Sequence, residues 1–389
     1  MFFSHKVVLF IHNNNMRKIL NFKNLLYLLP LVILMIFSLL NLYYAPNLSS
    51  IYNNFFQKQI LWFLIAIFLF IITFFIKPKF ILKISPFIYY INLFLLLLVL
   101  FIGKEVNGSK AWFSISFFSF QPSEFMKLSL ILYSTHIITA HPPLSNKDHI
   151  ILLLRLIIIF LLPAILTFLE PDTGAVIIYF FITSCIILFS RIKLKYILIT
   201  IGIVASILGS LTIMYYYFKD NFISLFGSSI YYRIERLIDF KNGGGMQIEN
   251  ALTTIATSKF ISTPQNATNL YFPEAATDFI FALNINHFGI LGGILILLCY
   301  LLIDFIIIYN FKKIKNLTCQ ILIIGFLAMF LYQQVQNIFM NLGLLPIVGI
   351  PLPFFSYGGS SLILFFISLA IIIRIIFENK KYSYRVFYR

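Results

Sequence analysis

Charge is what this sequence has least of. Asp, Glu, Lys and Arg make up 11% of its 389 residues, and only 13 of them are acidic against 29 basic ones. A soluble domain carries about 25% charged residues, so a soluble globular fold is excluded. Cysteine is scarce as well: Cys185, Cys299 and Cys319 are an odd set lying in or at the edges of apolar runs, which excludes a disulfide framework. Strict polar/apolar alternation over roughly ten residues is missing, which excludes a transmembrane barrel. No small-residue cleavage site follows the first apolar stretch, so the basic start (Lys6, Arg17, Lys18, Lys23) reads as the flank of an anchor helix rather than a signal peptide.

What is present is hydrophobicity, at 60% of residues with 46 Phe and a mean hydropathy of +0.95. Apolar runs recur near the roughly 20 residues needed to cross about 30 Å of hydrocarbon. They predict an all-α integral membrane protein with about ten transmembrane helices, near 25–45, 58–77, 80–102, 120–139, 150–169, 173–190, 194–217, 279–309, 317–341 and 352–376. Residues 1–24 form a cytoplasmic N-terminal segment, 25–377 the membrane domain and 378–389 a basic tail. The stretch 218–277, between helices seven and eight, is the only one large enough for a structured outside loop. With the N-terminus inside, 20 of the 29 basic residues fall on the cytoplasmic side, so both termini are placed there. The net charge of +16 is mostly a topology signal, and a nucleic-acid partner is excluded.

The acidic residues are distributed the other way, toward the outside. In Gln121-Pro122-Ser123-Glu124, followed by Lys127, a proline suits the first helical turn, and Glu124 and Lys127 lie three apart on one face. They form either a structural ion pair or a polar wall of a membrane cavity. In Glu170-Pro171-Asp172-Thr173-Gly174, Asp172 is a helix cap or a site residue. Asp278 stands at the start of a long apolar helix, beside Thr277 and four residues after Glu274. As a cap it would have a depressed pKa, whereas clustering with Glu274, Glu124 or Asp172 in a poorly hydrated cavity would raise it, as a catalytic base requires. The run Gly349-Ile350-Pro351-Leu352-Pro353, continuing through Ser356 and Gly358-Gly359-Ser360-Ser361, predicts a bent approach to the last span. Its Ser and backbone groups then satisfy a neighbouring helix or bind something.

Five strings carry a resemblance: NG-x-K-x-W (Asn107 to Trp112), FQPSE-x-x-K (Phe120 to Lys127), EPDTG (Glu170 to Gly174), PE-x-x-TDFIFA (Pro273 to Ala282) and GIPLPFFSYGGSS (Gly349 to Ser361). In this order, over about 250 residues, the chain resembles the SEDS family of shape, elongation, division and sporulation glycosyltransferases. Phe56-Gln57-Lys58-Gln59 with Trp62, Lys110-Ala111-Trp112 and Gln336-Asn337-Ile338 look closer to its RodA elongation branch than to the FtsW division branch.

The resemblance implies ten helices with a large loop after the seventh, in the bacterial inner membrane. It implies polymerisation of lipid II from an undecaprenyl-pyrophosphate-linked glycan donor, with inversion. Asp278 falls on the catalytic base. Glu124, Lys127, Asp172, Glu274, Thr277, Ser356 and Ser360 fall on the substrate cavity. Arg233, Arg236, Lys110 or a divalent cation, magnesium or manganese, would neutralise the leaving pyrophosphate; no metal ligand is assigned. A class B penicillin-binding transpeptidase and the elongation machinery are the implied partners. The rival readings are a lipid II flippase, an FtsW-type division polymerase and a scaffold of the elongation machinery. Two departures stand out: Asn286-His287 replace an acidic pair of the family, and Ser258, Lys259 and Ser262 replace small residues in the loop.

Overall fold

In the computed structural model, residues 28–106, 109–115, 118–238, 245–268 and 270–387 are described. For 106, 115, 118, 229, 233, 236–238 and 380–387 this covers the backbone alone. The protein is an all-α membrane fold. Its long helices are α1 (Leu29–Tyr44), α2 (Phe55–Phe75), α3 (Pro78–Ile102), α4 (Pro122–Ala140), α5 (Asn146–Leu169), α6 (Thr173–Phe189) and α7 (Leu194–Tyr217). The loop after α7 carries three short helices, α8 (Lys219–Phe226), α9 (Ser228–Ile238) and α10 (Gly245–Thr257). The chain then returns through α11 (Ile280–Phe311), α12 (Leu317–Asn341) and α13 (Gly359–Phe387).

Each of the ten predicted spans has its helix, and eight are long and apolar enough to cross a bilayer on their own. The other two fall short for different reasons. Helix α4 is diluted by Ser123, Glu124, Lys127, Ser129, Ser134 and Thr135, all buried, and α6 has only 17 residues. Helix α4 is an interior helix, where protein rather than lipid surrounds polar groups.

Two boundaries differ from expectation. The last helix begins at Gly359, not near 352, because Pro351 and Pro353 supply no backbone N–H and Phe354 takes a left-handed φ of 63°. At its other end it runs through the expected tail to Phe387. An additional element, absent from the sequence reading, lies between α3 and α4: an antiparallel sheet of β1 (Lys104–Val106), β2 (Ser109–Ile115) and β3 (Phe118–Phe120) in the order β1-β2-β3.

The bundle is centred on α11, α12 and α13. Helix α13 lies so close to α2 that a side chain at Gly359 would meet the Trp62 ring at 2.5 Å. Such small-residue contacts are how membrane helices gain packing without a hydrophobic drive between them. Helix α11 is interrupted at Gly289, whose φ of 77° and ψ of −176° suit only glycine. The N–H groups freed there, on Ile290 and Leu291, donate to the carbonyls of Lys259 and Phe260 at 3.1 and 3.0 Å. The loop thus completes the helix it precedes, and the 22 residues after the break are long enough, at about 33 Å, to span the hydrocarbon by themselves.

Candidate active site

Helix α4 starts as its sequence dictates, with Pro122 in the first turn and Gln121 extended before it. One turn on, Lys127 donates to Glu124 Oε1 at 2.6 Å, with both residues buried. The second carboxylate oxygen, Oε2, is buried without a hydrogen-bond partner. A buried ion pair in which one oxygen is unsatisfied is poor structural cement and a ready acceptor for a ligand hydroxyl.

Asp172 is fully engaged. Its Oδ1 accepts from Ala175 N at 3.0 Å, the cap foreseen for α6, while Oδ2 accepts from Gln121 Nε2 at 3.0 Å and Ser123 Oγ at 2.9 Å. It is a cap and a site residue at once, because it ties the start of α6 to the start of α4. The preceding Glu170 is buried with both oxygens unpartnered. Burial, reinforced by the charge of Asp172, pushes its carboxyl up to about 9, so at neutral pH it is the uncharged acid.

Asp278 lies in the turns just before α11. Its carboxylate makes no cap: Phe279 occupies the cap position, without a side-chain bond, and among the described residues nothing hydrogen-bonds to the Asp278 side chain. Instead the backbone is pinned. The Asp278 carbonyl accepts from Asn337 Nδ2 at 2.8 Å and from Asn341 Nδ2 at 2.9 Å, both on α12. Asn341 Oδ1 also accepts from Ala282 N at 2.9 Å, and Asn337 Nδ2 reaches Ile350 O at 2.8 Å. These two asparagines hold the 278 turn, the first turn of α11 and the 349–351 loop in one register. Gly349, at φ 64°, brings that loop so close that a Cβ there would sit 3.6 Å from Asp278 Oδ2.

Glu274 has a left-handed φ of 57°, and its Oε2 accepts from Thr277 Oγ1 at 2.6 Å. Half-buried Asp278 is pushed up to about 7, first by burial and then by the charges of Glu274, Asp172 and Glu124. The outcome is opposite to that of a capping carboxylate and matches a base poised near neutral pH.

The remaining site candidates divide. The hydroxyls of Ser356 and Ser360 are committed to the protein. Ser356 Oγ donates to Thr277 O at 2.5 Å and accepts from Leu352 N at 2.8 Å; Ser360 Oγ accepts from Gln121 N at 3.2 Å and donates to Ser119 O at 3.3 Å. They position the walls of the site. Lys110 turns away to donate to Phe101 O at 2.9 Å. The side chains of Arg233 and Arg236, and Asn107 and Gly108 of the NG-x-K-x-W string, lie outside the described residues. Among the described residues no group of three or more His, Cys, Asp or Glu converges as metal ligands.

The first of the two departures, Asn286-His287, is also accounted for. Asn286 makes three bonds to Thr268 of the loop, its Oδ1 accepting from N at 2.9 Å and Oγ1 at 3.0 Å and its Nδ2 donating to O at 3.0 Å. His287 Nδ1 lies 2.9 Å from Asn41 Oδ1 on α1. Because Asn41 Nδ2 already donates to Phe37 O and Asn284 Oδ1, its oxygen is the acceptor and the imidazole the donor. The altered pair is therefore a neutral clasp joining loop, α11 and α1.

Residues missed in the sequence are those whose role is positional: Asn337, Asn341, Gln121, Ser123 and Gly349. A polar residue repeated every fourth position in an apolar helix, Gln333, Asn337 and Asn341, was the available signal.

A polytopic helical membrane protein with carboxylates gathered at one end of its bundle is thus defined by fold and site. The family described as Cell cycle protein, FtsW/RodA/SpoVE, matches residues 18–381, and the chain belongs to it. A relative from Wigglesworthia glossinidia brevipalpis, Probable peptidoglycan glycosyltransferase FtsW, is 33% identical over 387 residues, covering 93% of this chain and 94% of that protein. Peptidoglycan glycosyltransferase MrdB of Helicobacter pylori (strain J99) is 30% identical over 324 residues, 81% of each. Among solved structures, a chain of a peptidoglycan synthase complex that coordinates polymerization and crosslinking aligns with a TM-score of 0.74 at 23% identity, over 91% of this chain and 97% of that one. Rod shape determining protein RodA of Thermus thermophilus aligns with a TM-score of 0.64 at 22% identity, over 91% and 96%. Relatives of both the division and the elongation name match, so similarity alone does not select the branch.

Proposed function

We propose that this protein is a peptidoglycan glycosyltransferase that polymerises lipid II at the outer face of the bacterial inner membrane, with both termini cytoplasmic. The observation that carries the reading is Asp278: a carboxylate with a fixed backbone and no hydrogen bond from any described residue, pushed up to about 7 in a wall of other carboxylates. It takes the proton from the 4-hydroxyl of the acceptor sugar as that oxygen attacks C1 of the donor. The C1–O bond to the pyrophosphate breaks with inversion, and undecaprenyl pyrophosphate leaves with the electron pair. Glu124 Oε2 is placed to accept from a sugar hydroxyl, and the Lys127 ammonium offsets the charge gathered around it. A divalent cation, if one serves the pyrophosphate, would draw its ligands mainly from the substrate.

The basic-residue distribution supports the orientation. The likeness to a chain of a polymerising and crosslinking complex supports a class B transpeptidase partner. The strings around Trp62, Lys110 and Gln336 favour elongation over division, and rescue of cells depleted of one polymerase or the other decides between them. The deciding assay is polymerisation of labelled lipid II by the purified protein, with and without its transpeptidase, beside Asp278→Asn. Glycan strands from wild type, and a loss of about 10²–10⁴-fold in a folded Asp278→Asn variant, are expected. No polymer from wild type with partner and divalent metal would overturn the assignment in favour of transport or scaffolding.

A further inference from the structure

The sheet between α3 and α4 is absorbed neither by the bundle nor by the proposed chemistry. Its register pairs Lys104 with Trp112 across β1 and β2, and Ser114 with Ser119 across β2 and β3. Trp112 and Ser114 are two apart on one strand and so share a face. Together these four side chains line a concavity of about 250 Å³. A second hollow, of about 560 Å³, shares Lys104 and Ser114 and adds the apolar Ile102 and Phe113. Lys104 is exposed, and among the described residues no carboxylate pairs with it.

An indole, two hydroxyls and an ammonium that no described carboxylate pairs, all on one shallow face, form a small set of groups with distinct chemistry. The indole offers a flat apolar surface with a negative face to the slightly positive C–H groups of a pyranose ring. The serines match ring hydroxyls or N-acetyl groups, and the ammonium matches a carboxylate carried on the sugar. Tryptophan and serine in a half-open hollow suit a hydroxylated ligand better than an acyl chain, which has no use for hydroxyls.

The sheet is also joined to the carboxylate end of the bundle. Strand β3 runs within one residue into Gln121, whose Nε2 donates to Asp172. Ser119 O accepts from Ser360, and Ser109 Oγ donates to the carbonyl of Glu170. A sugar strand lying on Trp112 is therefore held by an element in direct register with the wall around Asp278.

We infer that the Lys104, Trp112, Ser114 and Ser119 face of this sheet is a saccharide subsite that holds the glycan strand beyond the reacting sugars, with Lys104 meeting a carboxylate borne on the strand. The inference rests on the polymerase reading. It adds a place where the strand stays bound between additions, which a polymerase needs in order to extend one strand rather than start many.

The test uses the full-length protein in nanodiscs and two probes, a disaccharide-peptide tetrasaccharide released from peptidoglycan and the neutral chitotetraose, followed by saturation-transfer NMR. Wild type binds both. Trp112→Ala weakens both about tenfold, as loss of one aromatic anchor does elsewhere. Lys104→Glu, at an exposed position that leaves the fold alone, weakens only the carboxylate-bearing probe. Compared at equal lipid II consumption, both variants give shorter strands. Unchanged binding of the tetrasaccharide in both variants overturns the inference, as does loss of transpeptidase binding with saccharide binding intact, which would make the face a protein interface. Sugar binding through Trp112 in a wild type that forms no polymer would uphold the subsite and sink the polymerase reading. Normal polymerisation with strand length indifferent to both variants would do the reverse.

Discussion

Helices α7 and α13 are both apolar enough to cross a membrane, yet their surroundings are opposite. Along α7 only Ile197 and Tyr215 are buried, while Leu198, Ile201, Ile207, Leu208 and Ile213 each expose more than half their surface. Along α13, Leu364, Phe365, Ala370, Ile371 and Ile372 are nearly or wholly enclosed by protein. Hydropathy measures only the preference for leaving water, which lipid and protein satisfy equally. Packing, and with it the ability to hold a side chain in one place, is what separates them. The site is built from the packed helices α4, α6, α11, α12 and the approach to α13, and α7 contributes none of its described contacts.

Substitutions at the two ends of this contrast should sharpen it, and the largest effect belongs to the packed end. Asp278→Asn should cut polymerisation about 10²–10⁴-fold while leaving thermal stability near wild type, since no described residue hydrogen-bonds to the carboxylate. A large drop in melting temperature instead would show that Asp278 holds the fold. The same group sets a pH profile. With its value at about 7, the polymerisation rate should fall toward tenfold per pH unit once the pH is below that point, as the base becomes protonated.

Next in size is Lys127→Ala, which strands a buried carboxylate and should cost about 3–5 kcal/mol in unfolding measurements, with Glu124→Gln added to it restoring much of the loss. If the double variant is no better than the single one, the pair is not the coupled unit described above. Asp172→Ala removes a helix cap and two side-chain bonds and should cost about 2–3 kcal/mol, together with lost activity as α4 and α6 come apart at the site.

Glu170 gives a stability signature of its own. Its acid form is favoured by the fold, so its contribution is fully present below the ordinary carboxylate range and is lost as pH rises through about 9. Glu170→Gln should make unfolding less dependent on pH across that window. Smallest of all, Leu208→Ala on α7 should change stability by less than about 0.5 kcal/mol, whereas Phe365→Ala on α13 should cost about 3 kcal/mol or more. Equal effects at the two positions would mean that α7 is packed against something in the membrane.

Much of the architecture was legible because a bilayer imposes a length on every span. The ten apolar runs became ten long helices, and the i,i+3 spacing of Glu124 and Lys127 became a 2.6 Å ion pair. Asp172 became the cap that its place before Thr173 suggested. The small sheet went unseen, since three strands of three to seven residues between two spans leave no periodicity to read. The helix break at Gly289 was equally hidden, because a glycine within an apolar run has no signature until a loop carbonyl is found beside it.

By itself, then, the sequence determined where the long apolar helices lie and which residues bear charge, both of which depend on composition along the chain. Only the tertiary structure decided that Asp278 would be a poised base rather than a cap, that Asn337 and Asn341 would fix its backbone, and that Ser356 and Ser360 would bond inward. Those outcomes depend on which carboxylates and amides, distant in sequence, share one poorly hydrated end of the bundle. A carboxyl group's pKa and a hydroxyl's availability are properties of its neighbours, and packing alone chooses the neighbours.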